Sequence, residues 1–223
     1  MALSDSVSVI IVTFNHKNYI ENCLSSVLLN KPLEIIIVDN CSTDGTNDLI
    51  KEKFPGVILI ENRENSGYGC GNNLGVRLAK GKYIIILNPD TKVSPNWLDK
   101  LVNPLARCNK IIITPKILLY DGSKINTCGN LEHFTGLAFV RGLFEDSAKY
   151  ELSEYISGIS GACFAIKKED YIKLGQFDEN FFCYMEDAEF SWRAHSQGFR
   201  ILYESSSVVF HDYKLSVNLT YSY

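Results

Sequence analysis

The chain of 223 residues is 46% hydrophobic and 22% charged, which is the composition of an ordinary globular protein. At this length it can fold as one large α/β domain or as two small domains. Its net charge of −4 and its pI near 5.6 exclude the broadly basic surface typical of nucleic-acid-binding proteins, so we expect no nucleic-acid partner.

The seven cysteines are widely spaced and include no Cys-x-x-Cys pair, which argues against a zinc knuckle and against a disulfide framework. We therefore expect a reduced, cytoplasmic setting. The N-terminal residues lack a basic region followed by an apolar core, so no signal peptide is predicted. No apolar run approaches the roughly 20 residues of a membrane-spanning helix.

The first hundred residues alternate between apolar runs and stretches of helical periodicity. Buried strands are predicted over residues 7–13, 33–38 and 84–87 because their residues are mostly β-branched and apolar, and a further strand is predicted over 57–60. Helices are predicted over 16–30, from a cap at Ser42 or Thr43 to Phe54, through Leu74, Leu78 and Ala79 as the glycine-rich residues 66–75 end, and from Ser94-Pro95 through Leu105. These repeated βαβ units predict an α/β fold with a parallel, doubly wound sheet.

The pattern changes after about residue 110, and the second half is predicted to be a mixed structure built onto the edge of the first sheet. Strands are predicted over 111–120, 136–140, 157–166, 200–203 and 208–210, and helices over 167–174 and 186–197. Residues 142–157 are polar and without a pattern, so they are predicted to form a flexible loop.

Polar residues follow each of the four predicted parallel strands. The carboxyl ends of parallel strands meet at one edge of a sheet, which is where ligands bind in open α/β proteins. The residues concerned are Thr13, Asn15, Asp39, Asn62, Asn65 and Asp90. Each one alone is more often a turn or cap residue, so a plain turn at Asn88-Pro89-Asp90 remains an open alternative.

The glycine-rich residues 66–75 match neither common phosphate-binding motif. Leu74 stands where the dinucleotide fingerprint requires glycine, and no Gly-Lys-Ser/Thr follows. We expect these glycines to bring the backbone close to a ligand or to pack the helix closely against the sheet.

Two further groups of residues could carry chemistry. Glu186, Asp187 and Glu189 follow the aromatic residues 177–184 and exceed what a helix N-terminus needs, so one of them is a candidate general base. His211 ends a strand-like run. A lone histidine is usually structural, and as a metal ligand it would need a carboxylate partner, for which Asp90 is the candidate.

In their order and spacing, six segments of the chain resemble family 2 glycosyltransferases of the GT-A fold, in the bacterial rhamnosyltransferase-like branch. The segments are Val-Ser-Val-Ile-Ile-Val-Thr-Phe-Asn15, Ile-Val-Asp-Asn-Cys-Ser-Thr-Asp-Gly45, Glu-Asn-Ser-Gly-Tyr-Gly-Cys-Gly-Asn-Asn73, Leu-Asn-Pro-Asp90, Phe-Asp-Glu-Asn-Phe-Phe-Cys-Tyr-Met-Glu-Asp187 and Val-Val-Phe-His211. The resemblance implies one GT-A domain over residues 1–223. Its nucleotide-sugar-binding half would be about 6–110, and its acceptor-binding and catalytic half about 111–215.

The resemblance also implies a site and a reaction. Asp187 matches the catalytic base, with Glu186 beside it, and Asp90 and His211 match ligands of Mg²⁺ or Mn²⁺. Asp39 would read a pyrimidine base of a dTDP- or UDP-sugar. The donor-binding residues would be Thr13, Asn15, Asp39, Asn65, Gly67, Asn73, Asn88 and Asp90.

The implied reaction is an inverting transfer of a sugar, with rhamnose as one candidate, to a glycan or polyprenyl-linked acceptor in bacterial surface polysaccharide synthesis. Such an acceptor is compatible with peripheral association at the inner face of the membrane. Asn88 departs from the family because it replaces the first aspartate of the Asp-x-Asp motif, which puts metal dependence in doubt. The alternative is a non-catalytic nucleotide-sugar or glycan-binding module with a degenerate metal site.

Overall fold

The computed structural model of the protein describes residues 3–133 and 135–213. In this part of the chain the helices are α1 (Lys17–Leu28), α2 (Thr46–Lys53), α3 (Tyr68–Leu78), α4 (Trp97–Arg107), α5 (Lys168–Lys173) and α6 (Glu186–Ser196), with 3₁₀ turns at Leu3–Ser6 and Ser147–Tyr150. The strands are β1 (Val7–Thr13), β2 (Glu34–Asp39), β3 (Ile58–Glu61), β4 (Tyr83–Leu87), β5 (Thr91–Val93), β6 (Ile111–Leu119), β7 (Ile125–Thr127), β8 (Asn130–Glu132), β9 (Ala138–Val140), β10 (Glu154–Ile156), β11 (Cys163–Lys167) and β12 (Arg200–His211).

Both halves of the chain contribute strands to one sheet, in the order β10-β12-β6-β11-β4-β1-β2-β3. Strands β3, β2, β1 and β4 are parallel, which confirms the predicted doubly wound arrangement. Strand β11 runs antiparallel to β4, and β12 runs parallel to β6, so the second half extends the same sheet with mixed pairing, as predicted. Residues 1, 2, 134 and 214–223, which the single-domain prediction includes, lie outside the described residues.

Helices cover both faces of the central strands. One face of β1 and β4 packs with α1 and α4 through residues such as Ile11 and Trp97, and the other face packs with α3, α5 and α6 through Ile10, Ile86 and Phe190. All residues of β1 and β4 are buried. Burial on both faces explains why these strands are continuous apolar runs without alternation.

Residues 68–75 of the glycine-rich segment already lie in helix α3, and Gly71 and Gly75 face the sheet. A Cβ on Gly71 would lie 2.8 Å from Cγ1 of Val12, and one on Gly75 would overlap Ile10. The structure therefore supports the second of the two expectations for these glycines, close packing of a helix on β1. This packing brings the first turn of α3 up to the carboxyl ends of the strands.

Two predicted helix starts are wrong by a few residues. Helix α2 begins at Thr46, and its first N–H donates to Oδ1 of Asp44 at 3.0 Å, so neither Ser42 nor Thr43 is its cap. Helix α4 begins at Trp97 after Asn96, which adopts a left-handed conformation with φ of 60°, and not at Ser94-Pro95.

Two predictions for the second half are also wrong. Residues 142–157 are not an irregular loop, because they contain a 3₁₀ turn and strand β10, which pairs with β12. The two predicted final strands are one strand, β12, with an irregularity in its pairing between Glu204 and Val208. Strand β5, which pairs with the end of β12, was not predicted. No helix among residues 3–133 and 135–213 is long and apolar enough to cross a membrane.

Candidate active site

The carboxyl ends of β1, β2, β4 and β12 surround a cleft made of three adjoining recesses of about 290, 400 and 590 Å³. Asn88 lies in the wall of all three. We call them the carboxylate recess (Tyr68, Asn126, Glu186, Asp187, His211), the amide recess (Thr13, His16, Asn40, Asn65, Gly67, Asp90) and the outer recess (Asn15, Tyr19, Asp90, Tyr184, His211).

The loop after β2 is held by Asp39 and Asn15. The fully buried carboxylate of Asp39 accepts hydrogen bonds from the backbone N–H of Ser42 at 2.8 Å, from the Ser42 hydroxyl, and from Nδ2 of Asn47 at 2.9 Å. Asn15, with φ of 58°, donates its N–H to Oγ of Ser42, and its Oδ1 accepts from the N–H of Thr43. The structure thus brings Asp39 and Asn15 together through one hydrogen-bonded loop. The role of Asp39 in reading a base stays a prediction.

Asn40 is a cleft residue that sequence reasoning missed. Its Nδ2 donates to the carbonyl oxygen of Gly67 at 3.0 Å, and its Oδ1 accepts from Nδ2 of Asn62 at 2.8 Å and from the Ser66 hydroxyl. Oδ1 of Asn65 in turn accepts the N–H of Gly67 at 3.0 Å. The signal available in the sequence was its position directly after Asp39 at a strand end.

Gly67 joins this loop to the aromatic segment 177–185. Its φ is +83°, and a Cβ at this position would overlap the carbonyl oxygen of Phe182. The next residue, Tyr68, donates its N–H to that same carbonyl oxygen at 2.8 Å. Glycine is therefore required here for two independent reasons, its backbone conformation and the close approach of Phe182.

Asn88, Pro89 and Asp90 do form a turn, but a turn whose side chains face the cleft. The main chain of Asn88 is fixed because its N–H donates to the carbonyl oxygen of Ala162 at 2.9 Å and its carbonyl accepts from Oγ1 of Thr91 at 2.7 Å. Its Oδ1 is buried and has no hydrogen-bond partner among the described residues. A buried oxygen without a hydrogen-bond partner favours binding of a ligand that interacts with this oxygen.

His211 lies beside Asp90, as the sequence suggested. Pairing of β12 with β5 sets His211 opposite Thr91, and Nε2 of His211 lies 3.2 Å from Oδ1 of Asp90. Its Nδ1 lies 2.9 Å from Oδ1 of Asn126. Burial by itself raises the pKa of Asp90, but the contact with His211 outweighs it and holds that pKa below its ordinary value.

These residues fit a divalent cation, although the site offers few protein ligands. No group of three or more His, Cys, Asp or Glu side chains suited to a metal occurs within the described ranges. Asp90 and His211 would supply two ligands, and the unpaired Oδ1 of Asn88 is a neutral oxygen in the wall of the same recesses. A hard cation that takes its other ligands from water and from substrate phosphates is compatible with this set.

Glu186 and Asp187 open α6 after two residues in the left-handed region, Tyr184 with φ of 72° and Met185 with φ of 71°. Asp187 Oδ2 accepts from the N–H of Gly161 at 2.9 Å, and its Oδ1 accepts from the N–H of Ala188 at 2.8 Å. Oε2 of Glu186 is buried without a hydrogen-bond partner in the described part of the chain.

Burial makes both carboxyl groups weaker acids. It raises the pKa of Asp187 above its ordinary value. Burial and then the neighbouring charge of Asp187 raise the pKa of Glu186 to about 7. Groups that titrate near neutral pH are suited to accept a proton from a hydroxyl group.

Glu132 is a third carboxylate of this cluster that sequence reasoning missed. Burial and the charge of Asp187 raise its pKa to about 7, and its two carboxyl oxygens make no hydrogen bond to the described residues. Two residues earlier on β8, Nδ2 of Asn130 lies 3.4 Å from Oδ2 of Asp187. Both residues lie on a three-residue strand that no local pattern in the sequence indicates.

Asn73 does not belong to the cleft, which corrects its assignment to the donor site. It lies in the wall of a separate surface recess together with Gly175 and Arg193. Its Nδ2 donates to the carbonyl oxygen of Phe177 at 2.9 Å, and its Oδ1 accepts from the hydroxyl of Tyr171 at 2.7 Å. Asn73 therefore fixes the aromatic segment against α3.

Comparison with known proteins gives a family. A family model described as Glycosyl transferase family 2 matches residues 8–175 of the chain. N-acetylglucosaminyl-diphospho-decaprenol L-rhamnosyltransferase of Mycobacterium tuberculosis is similar to the chain, at 26% identity over an alignment that covers 94% of this chain and 76% of that protein.

Solved structures show the same fold. The crystal structure of GalNAc-T7 with UDP, GalNAc and Mn²⁺ gives a TM-score of 0.77 at 22% identity, and covers 94% of this chain and 44% of the other. The mannosyltransferase of Pyrobaculum calidifontis in complex with GDP-Man and Mn²⁺ gives 0.69 at 20% identity, and covers 94% of this chain and 57% of the other. The chain thus spans about half the length of these two structures.

Proposed function

This chain belongs to glycosyltransferase family 2 and has the GT-A fold, and from that premise we propose the reaction. It transfers a sugar, with rhamnose as the first to test, from a dTDP- or UDP-sugar to a hydroxyl group of a glycan or polyprenyl-linked acceptor. The transfer is a single displacement with inversion and belongs to bacterial surface polysaccharide synthesis. The relative from Mycobacterium tuberculosis, named as acting on a decaprenol-linked acceptor, supports a lipid-linked acceptor here. We propose that the protein acts in the cytoplasm at the inner face of the membrane.

The observation that carries this proposal is the make-up of the carboxylate recess. Glu186 and Asp187 share its wall with Asn88 and His211, so proton-accepting groups lie in the same recess as the proposed cation ligand. Asp187 is held by backbone N–H groups and has a raised pKa, which suits a general base. It would remove the proton from the acceptor hydroxyl as that oxygen attacks the anomeric carbon.

The donor diphosphate belongs, in this proposal, beside Asp90 and His211. These two side chains would hold Mg²⁺ or Mn²⁺, and the two solved relatives with Mn²⁺ in their titles support that ion. Bound there, a divalent cation would neutralise the charge that develops on the leaving diphosphate. The lowered pKa of Asp90 keeps its carboxyl group ionised at neutral pH, as a ligand of a divalent cation must be.

The nucleotide belongs in the amide recess. Thr13, Asn65 and Gly67 form its wall, and the loop shaped by Asp39 and Asn15 adjoins it. Amide and backbone groups of this kind can hydrogen-bond a base and a ribose without adding charge. We propose that a pyrimidine base lies against this loop.

A thermal-shift panel tests donor and cation together. We expect dTDP- and UDP-sugars to raise the unfolding midpoint, and to raise it more when Mn²⁺ or Mg²⁺ is present. A ligand at 100 times its Kd stabilises a protein by about 2.7 kcal/mol. GDP-mannose serves as the purine control and should give a smaller shift. A shift with GDP-mannose and none with dTDP- or UDP-sugars would contradict the proposed donor.

The neutral Asn88 and the small number of cation ligands favour a second candidate, a binding module that retains nucleotide-sugar affinity without turnover. The carboxylate pair Glu186-Asp187 opposes it. Hydrolysis of the donor in the presence of Mn²⁺, measured as release of nucleoside diphosphate, separates the two. Release above the rate of Asp187→Asn supports the transferase, and binding with no release supports the module.

A further inference from the structure

The side chain of Asn126 contacts the ring of His211. Asn126 lies on β7 and His211 at the end of β12, and both strands pair with β6, so the sheet brings the two residues together. Oδ1 of Asn126 lies 2.9 Å from Nδ1 of His211. Asn126 is only 3% exposed, so this contact is protected from water.

The main chain of His211 is already fixed by other bonds. Strand pairing with β5 holds it opposite Thr91, and the N–H of the following residue, Asp212, donates to the carbonyl oxygen of Asp90 at 3.0 Å. Rotation of the imidazole ring and the choice of tautomer are the freedoms left to the side chain. The contact with Asn126 restricts rotation of the ring and favours a proton on Nδ1.

An amide oxygen can accept a hydrogen bond but cannot donate one, so with Oδ1 of Asn126 facing the ring the contact is a hydrogen bond only when Nδ1 of His211 carries a proton. In the neutral ring Nε2 then carries the lone pair, and Nε2 faces Oδ1 of Asp90 at 3.2 Å. Two electron-rich atoms at this distance repel each other unless a cation lies between them or the ring gains a second proton. Asn126 therefore prepares Nε2 to donate its lone pair.

We propose that Asn126 is a positioning residue that holds His211 as its Nδ1–H tautomer, with Nε2 presented to the divalent cation beside Asp90. The proposal rests on the proposed function, because it is the cation that makes a lone pair on Nε2 beside Asp90 favourable. Metal-binding histidines generally donate their other ring N–H to a fixed acceptor, which sets the ring orientation. Here the acceptor comes from β7, in the segment that follows the nucleotide-binding half.

The first test reads the tautomer with the diamagnetic cation Mg²⁺ in excess. Long-range ¹H–¹⁵N correlation spectra of ¹⁵N-histidine protein recorded under these conditions distinguish Nδ1–H from Nε2–H. His211→Gln identifies the His211 signals by their loss. We expect Nδ1–H in the wild type and in Asn126→Asp, which keeps an acceptor, and a shift towards Nε2–H in Asn126→Leu. An Nε2–H tautomer in the wild type would overturn the proposal, whatever the variants do.

The second test measures Mn²⁺ binding by electron paramagnetic resonance of the free ion. Loss of a partner that orients a metal ligand typically weakens metal affinity by about 10- to 100-fold. We expect this loss in Asn126→Leu, no loss in Asn126→Asp, and no loss in Asn103→Leu, which removes an exposed amide on α4. Thermal unfolding checks that each variant is folded, and Asn126→Ala replaces the leucine variant if that one is not.

The outcomes separate this proposal from the proposed function. Equal Mn²⁺ affinity in the wild type and in folded Asn126→Leu overturns the positioning role but leaves the transferase reaction intact. Absence of Mn²⁺ binding in the wild type overturns the cation part of both proposals, while the nucleotide-sugar panel still tests donor binding.

Discussion

Oδ2 of Asp187 accepts a hydrogen bond from the backbone N–H of Gly161 at 2.9 Å, which joins the first turn of α6 to the loop before β11. Its other oxygen accepts from the N–H of Ala188. The neighbouring Glu186 has one buried carboxyl oxygen without a hydrogen-bond partner among the described residues. The two adjacent carboxylates therefore differ in their surroundings, because Asp187 is held in place and Glu186 is poorly solvated.

The substitution Asp187→Asn should abolish transfer and leave nucleotide binding intact. The amide keeps the size of the side chain but cannot take a proton, and removing a general base typically lowers the rate by about 10²–10⁴-fold. Initial transfer rates and nucleotide affinity would be measured on the same preparations. Asp99→Asn, an exposed carboxylate on α4, is the matched control and should change neither quantity. Full activity in Asp187→Asn would remove Asp187 from the mechanism.

The carboxyl group of Glu186 should lose its proton near neutral pH. Burial and then the charge of Asp187 raise its pKa to about 7, so Asp187 ionises at lower pH and Glu186 follows. Asp187→Asn removes this charge and should lower the pKa of Glu186, whereas Asp99→Asn should leave it unchanged. Carboxyl signals followed by NMR across the pH range measure this pKa, and an unchanged value in Asp187→Asn would contradict the coupling of the two groups.

Glu132→Gln should stabilise the protein at neutral and alkaline pH. The folded-state pKa of Glu132 is raised from 4.5 to about 7, so the folded protein binds this proton more tightly than the unfolded chain does. The stability that Glu132 contributes is consequently lost as the pH rises from about 4.5 to about 7, and Glu132→Gln should lack this loss. Unfolding midpoints measured across this range test it. If the unfolding midpoint of Glu132→Gln depends on pH in the same way as that of the wild type, the pKa of Glu132 is not raised in the folded protein.

The fold was largely predictable because of the residues that form the central strands. The apolar runs of β1, β2 and β4 suit strands buried on both faces, and their observed ends lie within one residue of the prediction. Strand β10 was missed because its residues Glu154, Tyr155 and Ile156 have no local pattern. Their pairing with β12, about fifty residues later in the chain, decides their structure.

The members of the candidate site could be predicted from the sequence where they lie at or just after the end of a strand with a clear apolar pattern. Asp90 and His211 were expected to be partners, and the structure brings them within 3.2 Å. Asn126 and Glu132 were missed because they lie on the short strands β7 and β8, whose positions depend on long-range pairing. Asn73 was misplaced because position within a motif does not reveal which side of a helix faces the cleft.

Gly67→Ala should both destabilise the protein and disturb the site. A non-glycine residue at φ of +83° costs about 1–3 kcal/mol, and the added Cβ would also overlap the carbonyl oxygen of Phe182. Displacing Phe182 would loosen the segment that leads into Glu186. Gly56→Ala is the matched control because no atom lies within 4 Å of its added Cβ. Unfolding midpoints and transfer rates should fall in Gly67→Ala alone. Equal unfolding midpoints and equal transfer rates in the two variants would show that the position of segment 177–185 does not depend on the contact between Gly67 and Phe182.

Asn88→Asp adds a second carboxylate next to Asp90. It should lower the unfolding midpoint of the protein when metal is absent and increase the stabilisation of the protein by Mn²⁺. Oδ1 of Asn88 is buried and unpaired within the described residues, so a carboxylate placed there without a cation is poorly solvated and repelled by Asp90. The unfolding midpoint in the presence of a chelator should therefore be lower than that of the wild type. A hard cation prefers carboxylate oxygen, so Mn²⁺ should bind more tightly and raise the midpoint by more than in the wild type. Asn88→Ala, which removes the buried oxygen, controls for the loss of the amide and should not gain Mn²⁺ affinity. If Asn88→Asp binds Mn²⁺ no better than Asn88→Ala does, the side chain at position 88 does not face the cation, and the cation site is limited to Asp90, His211 and the substrate.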